Sequence, residues 1–210
     1  MARHYMVALN LENKSCLVIG GGQIAERKVR ILLECGGLVK VVSPQLTTVL
    51  AKLAQSGAIT HRRGVYKASD LAGAFIVIAA TSHNGVNRQV AEDCRKYNLL
   101  VNVVDDPSSA NFFVPATVRR GSLQIAVSTG GKSPLLARRI REELEELYGD
   151  IFEEFIDFLG GVRDRIITDV ADPGQRSLLL RNLIDPETLS LLREGHLDRA
   201  KERVQKKCLL

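Results

Sequence analysis

Apolar residues fall into short runs punctuated by glycine, separated by stretches in which they recur at helical spacing. Cys16-Leu17-Val18-Ile19 stops at Gly20-Gly21-Gly22 and has the length and composition of a strand buried on both faces. Over residues 23–35, Ile24, Val29, Ile31, Leu32 and Leu33 are interleaved with Glu26, Arg27, Lys28 and Arg30, which predicts a helix that Gly36-Gly37 ends. Residues 38–42 read as a second buried strand, 45–55 as a helix and 58–61 as a short strand. The most apolar strand of the chain is expected at 75–80, a helix at 84–97 and a further strand at 99–104. Strands alternating with helices in this way predict right-handed βαβ units and a parallel sheet covered on both faces.

The pattern changes after residue 105. Phe112-Phe113-Val114-Pro115 and Ser122-Leu123-Gln124-Ile125-Ala126-Val127 read as strands joined by a turn at Arg120-Gly121. Ser133 is placed to cap a helix with Pro134 at its first position, running to about Tyr148 before Gly149. Helices are then expected at 151–169, 173–183, 186–193 and 196–207. The fold class is α/β: a Rossmann-type parallel sheet over 1–113, a small β/α region over 114–149 and an all-α domain over 150–210.

Composition narrows the class without naming a function. A chain of 210 residues with 45% hydrophobic and 25% charged residues is not a disordered one. No apolar run approaches the ~20 residues of a membrane span, and the first residues lack the apolar core of a secretory leader. Four cysteines (Cys16, Cys35, Cys94, Cys208) form no Cys-x-x-Cys pair and have no histidine at ligand spacing, so neither a disulfide framework nor a metal site is expected. These features point to a reduced, cytoplasmic protein. A net charge of +5 favours an anionic partner, while the absence of tryptophan and an aromatic content of 5% argue against nucleic acid.

Chemistry concentrates at the ends of the expected strands. The sequence strand–Gly20-x-Gly22-x-x-Ala25–helix is a dinucleotide fingerprint: Gly20 permits the tight turn, Gly22 lets backbone N–H groups approach a pyrophosphate, and Ala25 allows helix and strand to pack closely. The alternative is a glycine turn that only shapes the chain. The second strand runs into Ser43-Pro44-Gln45, with no acid for a ribose 2′-hydroxyl and no arginine directly after it for a 2′-phosphate. Ser43, Pro44 and Gln45 remain candidate ribose contacts, and the missing basic residue leans to NAD. After the strand at 75–80, Thr81 can donate to a cofactor, or Ser82 or Asn84 can simply cap the next helix; His83 reads as a solvated loop residue. Asp105 and Asp106 end the last parallel strand, where one can accept a proton while the other caps the Pro107 turn. Ser128, Thr129, Gly130, Lys132 and the arginines Arg119, Arg120 and Arg138 suggest an anion cradle, with a solvated helix face as the alternative for part of it.

Taken together, residues 16–28, Ala79-Ala80-Thr81, residues 102–107, residues 112–115 and residues 128–134 resemble the precorrin-2 dehydrogenase / sirohydrochlorin ferrochelatase family of sirohaem biosynthesis. The resemblance implies NAD-dependent oxidation of precorrin-2 to sirohydrochlorin and leaves Fe²⁺ insertion, with iron as substrate, open as a second step. It implies a homodimer held through 114–149, a tetrapyrrole substrate and neither membrane nor nucleic acid as partner. It puts the catalytic aspartate on Asp105 and the dinucleotide contacts on Gly22, Gln23, Ile24, Pro44 and Gln45, with Thr81 close by. Because the sequence ends after the helical tail, the methyltransferase half of the fused sirohaem synthases is expected to be absent. The rival reading is a non-catalytic NAD(H)-sensing module, which gives no role to Asp105 or to 128–141.

Overall fold

The apolar runs of the first half become β1 (Ser15–Ile19), β2 (Leu38–Ser43), β4 (Ile76–Ala79) and β5 (Leu100–Val103), which with the polar edge strand β3 (Thr60–Arg63), two residues later than the expected 58–61, form one parallel sheet in the order β3-β2-β1-β4-β5. The computed structural model describes residues 4–104 and 106–208. Residues up to Val114 form one compact unit and those from Pro115 another.

In the first unit, α1 (Gln23–Glu34) and α2 (Thr48–Gln55) pack with Cys16, Val18, Val39 and Val41 on one face. α3 (Asn84–Lys96) packs with Leu17, Ile19, Val77 and Val101 on the other. Adjacent residues of β1 thus feed opposite cores, which is why its whole run is apolar. Chain order and spatial order part company at β1: the chain runs outward through β2 and β3, then returns to lay β4 on the other side. The carboxyl ends of β1 and β4 therefore flank the switch point where open α/β sheets take their ligands.

The second unit begins with the antiparallel pair β6 (Ala116–Arg120) and β7 (Leu123–Val127), followed by α4 (Pro134–Leu147), α5 (Ile151–Asp169), α6 (Pro173–Asn182), α7 (Pro186–Arg193) and α8 (Leu197–Cys208). The strand expected at 112–115 is not one. Phe112 packs into the core on the α1 side, its carbonyl accepts from Asn102 Nδ2 at 3.0 Å, and Phe113 meets the His4 ring edge-on. That apolar run serves packing in the first unit, and Pro115, with no N–H to give a ladder, precedes the strand. Ser133 caps α4 with Pro134 at its first position, as expected.

The helical tail is tied together by Asp185. It caps α7 by accepting from Thr188 N at 2.8 Å, and it receives Arg203 Nη2 at 2.7 Å and Lys207 Nζ at 2.6 Å from α8. Arg203, Lys207 and Thr188 hold its carboxyl well below the usual carboxylate range. A depressed folded-state pKa contributes stability above the unfolded value and loses it as pH falls toward the folded one. Melts at successively lower pH should therefore show a steeper acid loss below about pH 4 in the wild type than in Asp185→Asn. Identical acid profiles would remove Asp185 from this role.

Among the described residues no helix is long and apolar enough to cross a membrane, and the four cysteines are free thiols. Burial, with Asp93 adding to it, pushes the Cys94 thiol up to about 11, so it is inert at neutral pH.

Candidate active site

Gly20, Gly21 and Gly22 are not equivalent. Gly20 has φ +124°, and a Cβ there would lie 2.3 Å from the Ala80 carbonyl oxygen. A Cβ on Gly21 would lie 2.0 Å from the Gln45 carbonyl oxygen and 2.8 Å from Ser43 Oγ. Around Gly22, by contrast, a Cβ would meet nothing within 4 Å. Gly22 is the N-cap of α1, and no side chain caps that helix. The first two glycines are therefore required by packing, while the third opens space over a helix end whose first N–H groups have no intrahelical partner. A pyrophosphate fits that cradle. Ala25 is fully buried, as the fingerprint requires, and Gln23 and Ile24 stand exposed on the first turn. Gly21 occupies the variable position of Gly-x-Gly, and the run of three glycines is its signal in the sequence.

The loop after β2 is built around this turn. Ser43 is buried and its hydroxyl donates to the Gln45 carbonyl at 2.7 Å, so its proton shapes the loop and is not available to a ribose. Thr47 N–H donates to Gly21 O at 2.9 Å, and Thr47 Oγ1 donates to Glu26 Oε2 at 2.7 Å. The side chains of Pro44 and Gln45 are exposed beside the glycine turn.

Thr81 is also committed. Its hydroxyl donates to Asn87 Oδ1 at 2.8 Å, its N–H donates to the same oxygen at 3.2 Å, and Asn87 Nδ2 donates to Thr81 O at 3.0 Å. The expected donation from Thr81 to a cofactor gives way to this clasp. Asn87 is 3% exposed and lies at same-face spacing with Val90, Ala91 and Cys94. A polar residue in an apolar stripe was the clue to it. Neither Ser82 nor Asn84 caps α3: the N-cap is His83, which is exposed and makes no side-chain cap.

Asp105, the expected catalytic residue, lies outside the described residues. It follows Val104, whose N–H donates to Ala79 O at 2.9 Å and so extends the carboxyl edge of the sheet. Asp106 is the turn former of the pair: it accepts from Ser108 Oγ at 2.6 Å and Ser109 Oγ at 2.7 Å. Those hydroxyls hold its carboxyl below the usual range, which makes it a poor proton acceptor. Asp106, Ser108 and Ser109 line a cleft of about 410 Å³ with Asn84, Asn87 and Arg88.

The basic segment of the second unit does not form one cradle. The register pairs Ala116 with Val127 and Arg120 with Leu123, so Arg119 and Arg120 lie at the turn end of the hairpin while Ser128–Lys132 leave from the other. Four residues of strand put roughly 13 Å between these ends. Arg120 Nη2 donates to Glu145 O at 3.2 Å, and its Nε lies 3.1 Å from Asp150 Oδ1 but misaligned, buried without a hydrogen bond. Arg120 thus closes the hairpin against its own unit. Arg138 pairs with Glu142 at 2.8 Å, and Arg141 with Glu145, each one turn along α4. In the loop, Thr129 Oγ1 donates to Ser133 O and accepts from Ser133 N, both at 3.0 Å, and Gly130 N–H donates to Ser128 Oγ at 3.2 Å. The hydroxyls hold the turn, leaving Lys132 exposed at its tip. Among the described residues no three His, Cys, Asp or Glu side chains group to hold a metal ion.

Comparison with known proteins follows the same division. A family described as putative NAD(P)-binding matches residues 7–116, and one described as sirohaem biosynthesis protein central matches residues 120–147. Siroheme synthase 3 of Aeromonas hydrophila subsp. hydrophila is 38% identical over 179 residues, covering 85% of this chain and 38% of that protein. The siroheme synthase of Methylobacillus flagellatus is 42% identical over 166 residues, covering 77% of this chain and 36% of that protein. The chain thus spans well under half the length of these curated relatives. Among solved structures, SirC, precorrin-2 dehydrogenase, superposes with a TM-score of 0.79 at 30% identity, covering 97% of this chain and all of that one.

Proposed function

This chain belongs to the family that includes SirC, precorrin-2 dehydrogenase, and shares its NAD(P)-binding part with the siroheme synthases, and from that membership we propose that it oxidises precorrin-2 to sirohydrochlorin with NAD⁺. The observation that carries the reading is the glycine turn at the switch point, with Gly20 and Gly21 locked by packing and open space over Gly22 at an uncapped helix end.

Bound NAD⁺ supplies the acceptor for the hydride that leaves the macrocycle. Gly22, Gln23 and Ile24 hold the pyrophosphate through backbone N–H groups, and Pro44 and Gln45 flank the adenosine. The Asn87–Thr81 clasp fixes the floor of the β4–α3 turn, so that neither side chain must reorganise when ligand enters. Asp105 takes the proton lost with the hydride, and that proton and the hydride together are the two hydrogens removed as the new double bond forms. Asp106, held as a carboxylate by two serines, cannot share that role. The substrate carries eight carboxylate arms, for which Arg88 in the cleft offers a cation. Fe²⁺ insertion extends the proposal: iron enters as substrate, and Asp105 takes the pyrrole protons it displaces.

The protein acts as a cytoplasmic homodimer in this reading. β6 and β7 form a two-stranded sheet, an element of marginal stability by itself. Leu135 and Leu136 on α4 stay 67% and 52% exposed, and a second copy would cover them. Light scattering should give a dimer mass for the wild type and a monomer mass for the double variant Leu135→Asp, Leu136→Asp. A monomeric wild type would contradict the assembly.

Supplying NAD⁺ and precorrin-2 to the purified protein tests the function. NADH should form only when both are present. Binding of NAD⁺ without NADH formation would favour the NAD(H)-sensing alternative instead.

A further inference from the structure

Arg62 and Arg63 are neighbours at the end of β3 with opposite environments. Arg62 turns to the face of Lys40, where its Nε donates to Asp70 Oδ1 at 2.6 Å and its Nη2 donates to Oδ2. Lys40 Nζ reaches Asp70 at 3.4 Å. Burial pushes the Asp70 carboxyl up, but Arg62, the Lys67 N–H and Lys40 outweigh it and hold it below the usual range. Arg62 is a structural cation.

Arg63 faces the other way. It is paired in register with Ser43, the last residue of β2, and paired residues of parallel strands project to the same side of the sheet. That is the side of the glycine turn, since Ser43 Oγ lies 2.8 Å from where a Gly21 Cβ would sit. His61, on the same face of β3, reaches the Ser43 carbonyl with Nε2 at 3.0 Å, so side chains of this strand do extend to the end of β2. Arg63 is exposed, and among the described residues it makes no hydrogen bond or ion pair.

The end of β2 is where the adenosine ribose of a dinucleotide rests. A carboxylate there selects the free 2′-hydroxyl, and an arginine accommodates a 2′-phosphate. Here β2 runs into Ser43-Pro44-Gln45 with no carboxylate, and Glu26 on α1 is occupied by Thr47 at 2.7 Å and Arg30 at 2.9 Å. We infer that Arg63 is a receptor for the 2′-phosphate of an adenine dinucleotide, so that the site takes NADP⁺ as well as NAD⁺. The inference rests on the dinucleotide reading and deepens it. The leaning to NAD alone came from the residues that directly follow β2; the arginine arrives instead from the neighbouring strand, through pairing.

Isothermal titration of the full chain with NAD⁺, NADP⁺ and adenosine 2′,5′-bisphosphate tests this. NADP⁺ should bind the wild type, and the bisphosphate should compete for its site. Arg63→Ala should lower the ratio of NADP⁺ to NAD⁺ affinity about tenfold, Arg63→Glu further, and Arg63→Lys should retain part of it. Circular dichroism should be unchanged, because no partner of Arg63 is lost. An unaltered ratio in Arg63→Ala, or a wild type that binds NAD⁺ and rejects NADP⁺, overturns the assignment. Failure of both dinucleotides to bind overturns the dinucleotide reading itself, and this assignment with it.

Discussion

Asp105→Ala should lower the rate of precorrin-2 oxidation by about a hundredfold to ten-thousandfold, the range that a positioned general base contributes. NAD⁺ should still bind, because the residues proposed to hold it, 20–24 at the turn into α1 and 43–47 at the end of β2 and in its loop, are left intact. The expectation is sharp because the neighbouring carboxylate cannot stand in. Asp106 spends its lone pairs on Ser108 and Ser109 and prefers to stay ionised. Asp105→Asn, which keeps the size and removes the basicity, should behave like the alanine variant. Single-turnover rates with saturating NAD⁺ decide the matter, and a variant at full rate would remove Asp105 from the mechanism.

Gly21→Ala should be a strongly damaging single-methyl change in the first unit. Its Cβ would stand 2.0 Å from a backbone oxygen of Gln45, and that loop is already pinned by the Ser43 hydroxyl and by Thr47 N–H on Gly21 O. The clash cannot be relieved by rotating a side chain, so β2's loop must move away from the turn. Overpacking of this kind costs about 1–3 kcal/mol, or several degrees of melting temperature. NAD⁺ affinity should fall with it. Gly22→Ala supplies the contrast: with nothing within 4 Å of its Cβ, it should melt like the wild type yet bind NAD⁺ more weakly, since the methyl fills space over the helix end. If Gly22→Ala binds as well as the wild type, the pyrophosphate does not lie there.

Strands β1 and β4 were legible because a strand buried on both faces has to be apolar throughout, and Cys16-Leu17-Val18-Ile19 or Phe75-Ile76-Val77-Ile78 carry that signature in a few residues, whereas β3 is a polar edge strand that starts two residues after its apolar cue at Ala58-Ile59. The same rule misled at Phe112-Phe113-Val114, where apolarity serves tertiary packing and the strand starts after Pro115. Helix starts were legible wherever Ser133, Asp172 or Asp185 precedes a proline, since cap chemistry is local. What could not be read was proximity created by pairing. Arg119 and Lys132 are close in sequence, but the hairpin register sends them to opposite ends. Ser43 and Arg63 are far apart in sequence, and the β2–β3 register puts them side by side. The roles of Ser43 and Thr81 changed for a related reason: both hydroxyls were assigned to ligand, and both are used by the loops that shape its site.

In the proposed reaction a hydride moves from a tetrapyrrole to a nicotinamide dinucleotide held at the 20–22 turn. Its most direct test is an anaerobic single turnover, with protein, NAD⁺ and precorrin-2 mixed in equal amounts and both products quantified. One sirohydrochlorin should appear for every NADH, and neither should form when NAD⁺ is omitted. Sirohydrochlorin produced without NADH, or no turnover from a protein that has bound both ligands, would contradict it.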